Sequence, residues 1–183
     1  MIKEVEIKEN GGPEKILWKD CEPEKLKPGQ VTLEHTFVGL NFIDTYHRSG
    51  LYPLPLPTKL GMEGAGIIVD KSSDVNEYEI GDRVAYVMAL GSYSTKRNIE
   101  ANKLVKIPKS ISDQQAAAVL LKGMTVEYLV ERLFKVNNTH TVLFHAVAGG
   151  VGLLACQWLK YLGAKIIGTA GTEEKATLAK QNG

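Results

Sequence analysis

The chain is short of cysteine and without an excess of either charge, and each of these removes a class of protein. Cys21 and Cys156 are the only two thiols, too few for a disulfide framework or a four-thiolate zinc site, and they read as reduced cysteines of a cytoplasmic protein. Lys and Arg number 22 against 21 Asp and Glu, for a net charge of +1. No basic field is present to neutralise phosphates, which argues against a sequence-independent nucleic-acid binder. The longest apolar run, Ala116 to Leu121, is far below the roughly 20 residues that span a bilayer. The opening MIKEVEIKEN has neither the apolar core of a signal peptide nor the acid-poor composition of a transit peptide. Internal repeats and low-complexity tracts are also missing. What is present, 44% hydrophobic and 23% charged residues, matches an ordinary soluble globular protein and excludes a disordered tail. A length of 183 residues allows one large domain or two small ones.

The first half is patterned for strands. Ile2, Val5 and Ile7 lie among charges, and Val31, Leu33 and His35 alternate with polar residues, which predicts half-buried antiparallel strands. Gly11-Gly12-Pro13, Lys27-Pro28-Gly29 and Ile80-Gly81-Asp82 mark turns. Pro53, Pro55 and Pro57 make Leu51 to Leu60 a loop. Gly61, Gly64 and Gly66 precede Ile67, Ile68 and Val69, as where backbones approach closely beside a strand. After Pro108 the character changes. Ser112 and Asp113 open a helix over the alanines that follow. Thr125 to Phe134 reads as a second helix with Val126, Leu129, Val130 and Leu133 on one core-facing stripe.

From Thr141 the order is strand, glycine turn, helix, strand. Thr141 to His145 suits a strand buried on both faces. Val151, Leu154, Ala155, Trp158, Leu159 and Leu162 recur at helical spacing, and Lys165 to Thr169 forms the next strand. Thr172 is placed to cap a helix that begins with Glu173 and Glu174. The turn Ala146-Val147-Ala148-Gly149-Gly150-Val151-Gly152 departs from the strict dinucleotide fingerprint only at 147, where Val replaces the first glycine. Gly149 would admit a pyrophosphate and Gly152 would let helix and strand pack closely, while the helix N-terminus offers N–H groups and positive dipole. The alternative is a glycine turn that serves packing alone. An NAD site normally carries Asp or Glu at the end of the second strand. Here that place is Thr169 or Ala170, with Gly171 following and Lys175 close enough to pair with a 2′-phosphate. This favours NADPH, with Glu173 and Glu174 as the counter-evidence.

At these residues the sequence resembles a known family. HAVAGGVGLLACQWLKYLGAKIIGTAGTEEKA is similar to the cofactor turn of the zinc-independent quinone oxidoreductases, of zeta-crystallin type, in the medium-chain dehydrogenase/reductase superfamily. GLNFIDTYHRSGLYP (Gly39 to Pro53), LGMEGAGIIV (Leu60 to Val69), GDRVAY (Gly81 to Tyr86) and AAAVLLKGMTVEYL (Ala116 to Leu129) carry the resemblance through the chain from Gly11 onward. It implies a GroES-like β-barrel domain over 1–122, followed over 123–183 by the first part of a Rossmann doubly wound parallel sheet. It also implies an NADPH-dependent quinone reductase that is a homodimer at full length. Zinc-dependent relatives carry Cys where this chain has Asn41 and Gly-His-Glu where it has Gly61-Met62-Glu63, and a thioether is a poor zinc ligand.

By position in the family, Asn41, Tyr46, Tyr52 and Thr125 would approach nicotinamide and substrate. Ala148, Gly149, Gly150, Val151, Gly171 and Lys175 would hold the rest of the cofactor. Tyr46 and Asn41 can each donate a hydrogen bond, to orient the nicotinamide or to stabilise an oxyanion. The competing readings are an NADPH-dependent enone or alkenal reductase and a non-catalytic crystallin-like or RNA-binding relative. A doubly wound sheet has about six strands in two halves, whereas this chain reaches two. The expectation is therefore that 1–183 alone is unstable and binds NADPH poorly, with Leu143 and Ile166 left unpaired.

Overall fold

A computed structural model describes residues Met1–Gly183. They form two compact units, Met1–Leu120 and Leu121–Gly183.

The first unit carries the alternating segments as antiparallel strands. Strands β1 (Ile2–Ile7), β2 (Leu17–Cys21), β3 (Gln30–Val38), β4 (Thr58–Lys59), β5 (Glu63–Lys71), β6 (Arg83–Val87), β7 (Lys96–Glu100) and β8 (Leu104–Lys106) build two sheets, ordered β2-β1-β4 and β7-β3-β5-β6-β8. Period-two patterning puts Val31, Leu33, Ile68, Val84, Tyr86, Ile99 and Leu104 into one core, and Val5, Ile7 and Leu60 into a second. The proline loop is irregular except at β4, and the peptide bond Leu56–Pro57 is cis. Helix α1 (Phe42–Ser49) follows β3 and stops at Gly50, whose φ of 83° continues the chain out of the helix.

Two buried polar contacts brace this unit. His35 lies 2.7 Å through Nδ1 from the Ser94 carbonyl and 2.8 Å through Nε2 from the Tyr86 hydroxyl. A carbonyl only accepts, so Nδ1 carries the hydrogen and Tyr86 donates to Nε2. Burial pushes the imidazole down to about 4, only partly offset by the Ser94 bond. Glu4 is also buried. Desolvation alone would raise its carboxyl, but Lys59 at 2.7 Å and Lys19 at 3.0 Å bring it below the ordinary value.

In the sequence after Pro108, a single helix, α2 (Asp113–Glu127), replaces the two expected. The Ser112 hydroxyl accepts the Gln115 N–H while the Gln115 side chain accepts the Ser112 N–H, a reciprocal cap. Gly123 lies inside α2, a cost of about 1 kcal/mol that packing overrides. Tyr128–Leu133 continues as a π-helix. Its wider turn breaks the expected stripe: Val126 and Val130 are buried, but Leu133 is 63% exposed.

From Thr141 the second unit follows the order read from the sequence: strand, turn, helix, strand, helix. Strands β9 (Thr141–Phe144) and β10 (Lys165–Gly168) pair in parallel, Thr141 opposite Lys165 and Phe144 opposite Gly168. They are linked by α3 (Gly150–Tyr161), and α4 (Glu173–Gln181) follows. Ala155 and Leu159 of α3 pack with Val126, Val130, Val142, Phe144 and Ile166 in one core. That arrangement corrects two expectations. β9 is not buried on both faces, since only Val142 and Phe144 face the core and Leu143 is 58% exposed. Ile166 is half-buried against that core, and it is Ile167, on the opposite face of β10, that stands 49% exposed. No helix is long and apolar enough to cross a membrane.

Candidate functional site

In the first unit the expected residues gather on and beside α1. Asn41 is the N-cap residue, extended at φ −129° and ψ 152°. Its backbone N–H donates to Asp44 Oδ2 at 2.9 Å, and its side-chain Nδ2 donates to Glu63 Oε2 at 2.8 Å. Asp44 Oδ2 also accepts the Tyr93 hydroxyl at 2.6 Å. Burial, with the Asp44 carboxylate beside it, pushes the Tyr93 phenol far above its usual range, so it remains a donor. Tyr46 and Tyr52 come together, ring centroids 5.2 Å apart, and the Tyr52 N–H donates to the Tyr46 carbonyl. Phe42 adds a third ring 5.8 Å from Tyr46 and is itself 78% exposed. An exposed aromatic step beside a buried amide is suited to a flat, partly apolar ligand that carries oxygen atoms. No three His, Cys, Asp or Glu side chains converge as a metal-ligand group.

In the second unit the glycine turn joins β9 to α3. The backbone reverses at Ala146, whose φ is 52°, a position where non-glycine residues are uncommon. Val147 is buried and its N–H donates to the Thr169 carbonyl at 3.0 Å. Its side chain occupies the space that a Cβ on Gly168 would need, which explains how valine stands in the first glycine position of the fingerprint. Gly152 supplies the close approach: a Cβ there would run into the carbonyl oxygen of Val147 and lie 2.7 Å from that of Ala146. Gly149 is the N-cap of α3 and has no side chain to satisfy the first turn, which carries no acidic residue. Ala148, Gly149, Gly150 and Val151 therefore border an uncapped helix N-terminus, which attracts anions.

At the far end of β10, Gly171 is open on all sides. Thr172 caps α4, its hydroxyl accepting the Lys175 N–H at 3.2 Å. The Lys175 side chain is exposed, as are Glu173 and Glu174. A cavity of about 740 Å³ beside this strand end is lined by Val147, Gly168, Ala170, Gly171, Thr172 and Glu173 among others. Thr125, on α2, donates its hydroxyl hydrogen to the Leu121 carbonyl at 2.8 Å, so only its lone pairs are left for a ligand. Cys156 is buried and Cys21 half-buried; burial raises both thiols, so neither is poised as a nucleophile.

Phe42, Glu63, Asp44 and Tyr93 were not singled out by sequence reasoning. The signal for Glu63 was available: it is the one charge within the apolar run Leu60 to Val69. Phe42 and Tyr46, one helical turn apart, were an equally visible pair. Tyr93 is remote in sequence from α1 and had no such signal.

An antiparallel two-sheet unit and a β-α-β unit with an uncapped helix define the class of fold, and the comparisons with known proteins agree. Residues 27–130 match the alcohol dehydrogenase GroES-like domain, and the chain belongs to that family, within the medium-chain dehydrogenases/reductases. It is 48% identical over 185 aligned residues to the quinone oxidoreductase of Pseudomonas aeruginosa, covering 100% of this chain and 57% of that protein. It is 40% identical to the 2-haloacrylate reductase of a Burkholderia species, again over 100% of this chain and 57% of the relative. The crystal structure of Escherichia coli quinone oxidoreductase complexed with NADPH superposes with a TM-score of 0.96 at 48% identity, over 99% of this chain and 56% of that one. The chain thus spans a little over half the length of the relatives it matches. The first unit is GroES-like and the second holds the first strands of a Rossmann-type sheet.

Proposed function

We propose that this protein, at the full length of its relatives, is an NADPH-dependent reductase of quinones that works by hydride or electron transfer without zinc. The observation that carries this reading is the uncapped N-terminus of α3, brought against β9 by Gly152. The fit to a dinucleotide is physical: the turn leaves backbone N–H groups bare, and the end of β10 carries no carboxylate at Thr169, Ala170 or Gly171. When bound, NADPH supplies the reducing electrons. Gly149, whose own N–H donates to the Ala146 carbonyl at 2.8 Å, gives the pyrophosphate a close approach, and Ala148, Gly150 and Val151 hold it through their N–H groups. Gly171 leaves room for the ribose, and the Lys175 ammonium pairs with the 2′-phosphate. Asn41, Tyr46, Tyr52 and the lone pairs of Thr125 orient the nicotinamide and the substrate.

The Tyr46 hydroxyl, unlike its carbonyl, makes no hydrogen bond within the protein, so it is available to the substrate oxygen that gains electron density. Quinones accept electrons readily, so hydrogen bonding suffices where zinc-dependent relatives use a metal. Asn41 and Met62 stand at two of the zinc-ligand positions, and neither an amide already bonded to Glu63 nor a thioether is a good zinc ligand. In this assignment the first unit is the substrate domain and the second begins the cofactor domain. Its free thiols support a reducing, cytoplasmic setting, and the family resemblance supports a homodimer.

The likeness to the 2-haloacrylate reductase favours one second reading, reduction of an activated C=C bond. Full-length protein incubated with NADPH and either a para-quinone or 2-chloroacrylate separates the two. Hydroquinone as the faster product supports the first reading. Saturated acid as the faster product replaces it with the second.

A further inference from the structure

Glu63 is completely buried, at 0% exposure, and a carboxylate withdrawn from water costs several kcal/mol unless it is well partnered. The fold goes to some length to keep it there. A Cβ at Gly39 would collide with Glu63 Oε2 and lie 2.5 Å from the Ala117 carbonyl, and the Gly39 N–H donates to the Glu63 carbonyl at 3.0 Å. The missing side chain at 39 is therefore the space the carboxylate occupies. From that position Oε2 accepts Nδ2–H of Asn41 at 2.8 Å.

A carboxylate only accepts, so the planar Asn41 amide must turn its NH2 end toward Glu63 and cannot rotate end over end. The backbone of the same residue is held separately, by Asp44 Oδ2, which Tyr93 holds in turn. We propose that Glu63 is a positioning residue for Asn41: its buried carboxylate selects one of the two orientations of that amide and so fixes which polar group meets the nicotinamide or substrate. This rests on the reading of Asn41 as a ligand contact. Glu63 is placed here to act on the ligand through Asn41.

The test uses full-length protein with four substitutions: Glu63→Leu, Glu63→Gln, Asn41→Ala, and the exchange Asn41→Asp with Glu63→Gln. NADPH affinity by fluorescence titration, kcat/KM for a quinone and the thermal midpoint are measured for each, and for Asn41→Ala combined with Glu63→Leu. Glu63→Leu is expected to lose about tenfold or more in kcat/KM, as for a lost hydrogen bond to a charged group, but nothing further on the Asn41→Ala background. Glu63→Gln, whose carbonyl oxygen can still accept from Asn41, recovers most of that loss. The exchange keeps the charge and the buried hydrogen bond but reverses its direction, so the thermal midpoint returns toward wild type while affinity and turnover do not.

Additive losses in the double variant overturn the proposal, as does an exchange that restores affinity and turnover together, because a merely structural pair would tolerate reversal. If Glu63→Leu fails to fold, the Gln variant and the exchange still decide. Wild-type protein that neither binds NADPH nor turns over a quinone is a different failure: it removes the reductase reading before any variant is compared.

Discussion

Replacing Gly152 with alanine adds one methyl group where backbone atoms already stand. The new Cβ would meet the Val147 carbonyl oxygen and lie 2.6 Å from its carbon and 2.7 Å from the Ala146 oxygen. None of these can rotate aside. Ordinary contact needs about 3.4–4 Å, so the first turn of α3 must retreat from the turn by roughly 1 Å. That strain costs about 1–3 kcal/mol, or about 2–10 °C in the thermal midpoint of a chain this size. The same retreat withdraws the helix N–H groups from the pyrophosphate and weakens NADPH binding by about tenfold. Gly150→Ala is the internal control for stability. Its Cβ meets side-chain atoms of Lys122, the nearest Cδ and Cε at 2.9 Å, rather than backbone. Differential scanning calorimetry on both variants reads the comparison, and NADPH titration of Gly152→Ala reads the loss of affinity. A Gly152→Ala protein as stable and as tightly binding as wild type, or a Gly150→Ala protein less stable than Gly152→Ala, refutes the argument.

Lys175→Ala should weaken NADPH about 1.5- to fivefold, as for an exposed ion pair, and leave NADH unchanged; an equal loss for both cofactors removes Lys175 from the 2′-phosphate site. Phe42→Ala should raise KM for a two-ring quinone several-fold with kcat nearly constant, the pattern of lost uniform binding; an unaltered KM places the substrate away from this aromatic step. His35 should make stability pH-dependent. The unfolded chain takes up its proton below about 6.5, while the folded protein resists until about 4. More protons are bound in the unfolded state within that window, so stability falls as pH drops through it, by up to about 3 kcal/mol, and the effect is complete below it. Urea denaturation of wild type and His35→Gln across this range should show a shallower slope for the variant; parallel curves contradict the assignment.

Much of the second unit was legible because period and punctuation agree there. An apolar strand, a glycine turn, a 3.6-residue stripe and a capping Thr172 each predict the same β-α-β-α order that is observed. The deviations arose where local pattern says little about what lies opposite. Nothing in Leu143 or Ile166 reveals which face of a two-stranded sheet α3 covers, and a π-turn after Glu127 has no signature in residue type. At the site, resemblance supplied Asn41, Tyr46 and Tyr52. It said nothing of the network beneath them, because Glu63 and Tyr93 reach α1 only through the register of β5 and the segment before β7. A buried hydrogen bond between residues 22 apart leaves no periodic trace.

The central claim, that this protein reduces quinones with NADPH, is tested most directly by measuring cofactor oxidation and hydroquinone formation together in full-length protein with a para-quinone. The account predicts equal amounts of NADP⁺ and hydroquinone, with NADH a much poorer donor. Folded protein that consumes neither cofactor, or that uses NADH as well as NADPH, would contradict it.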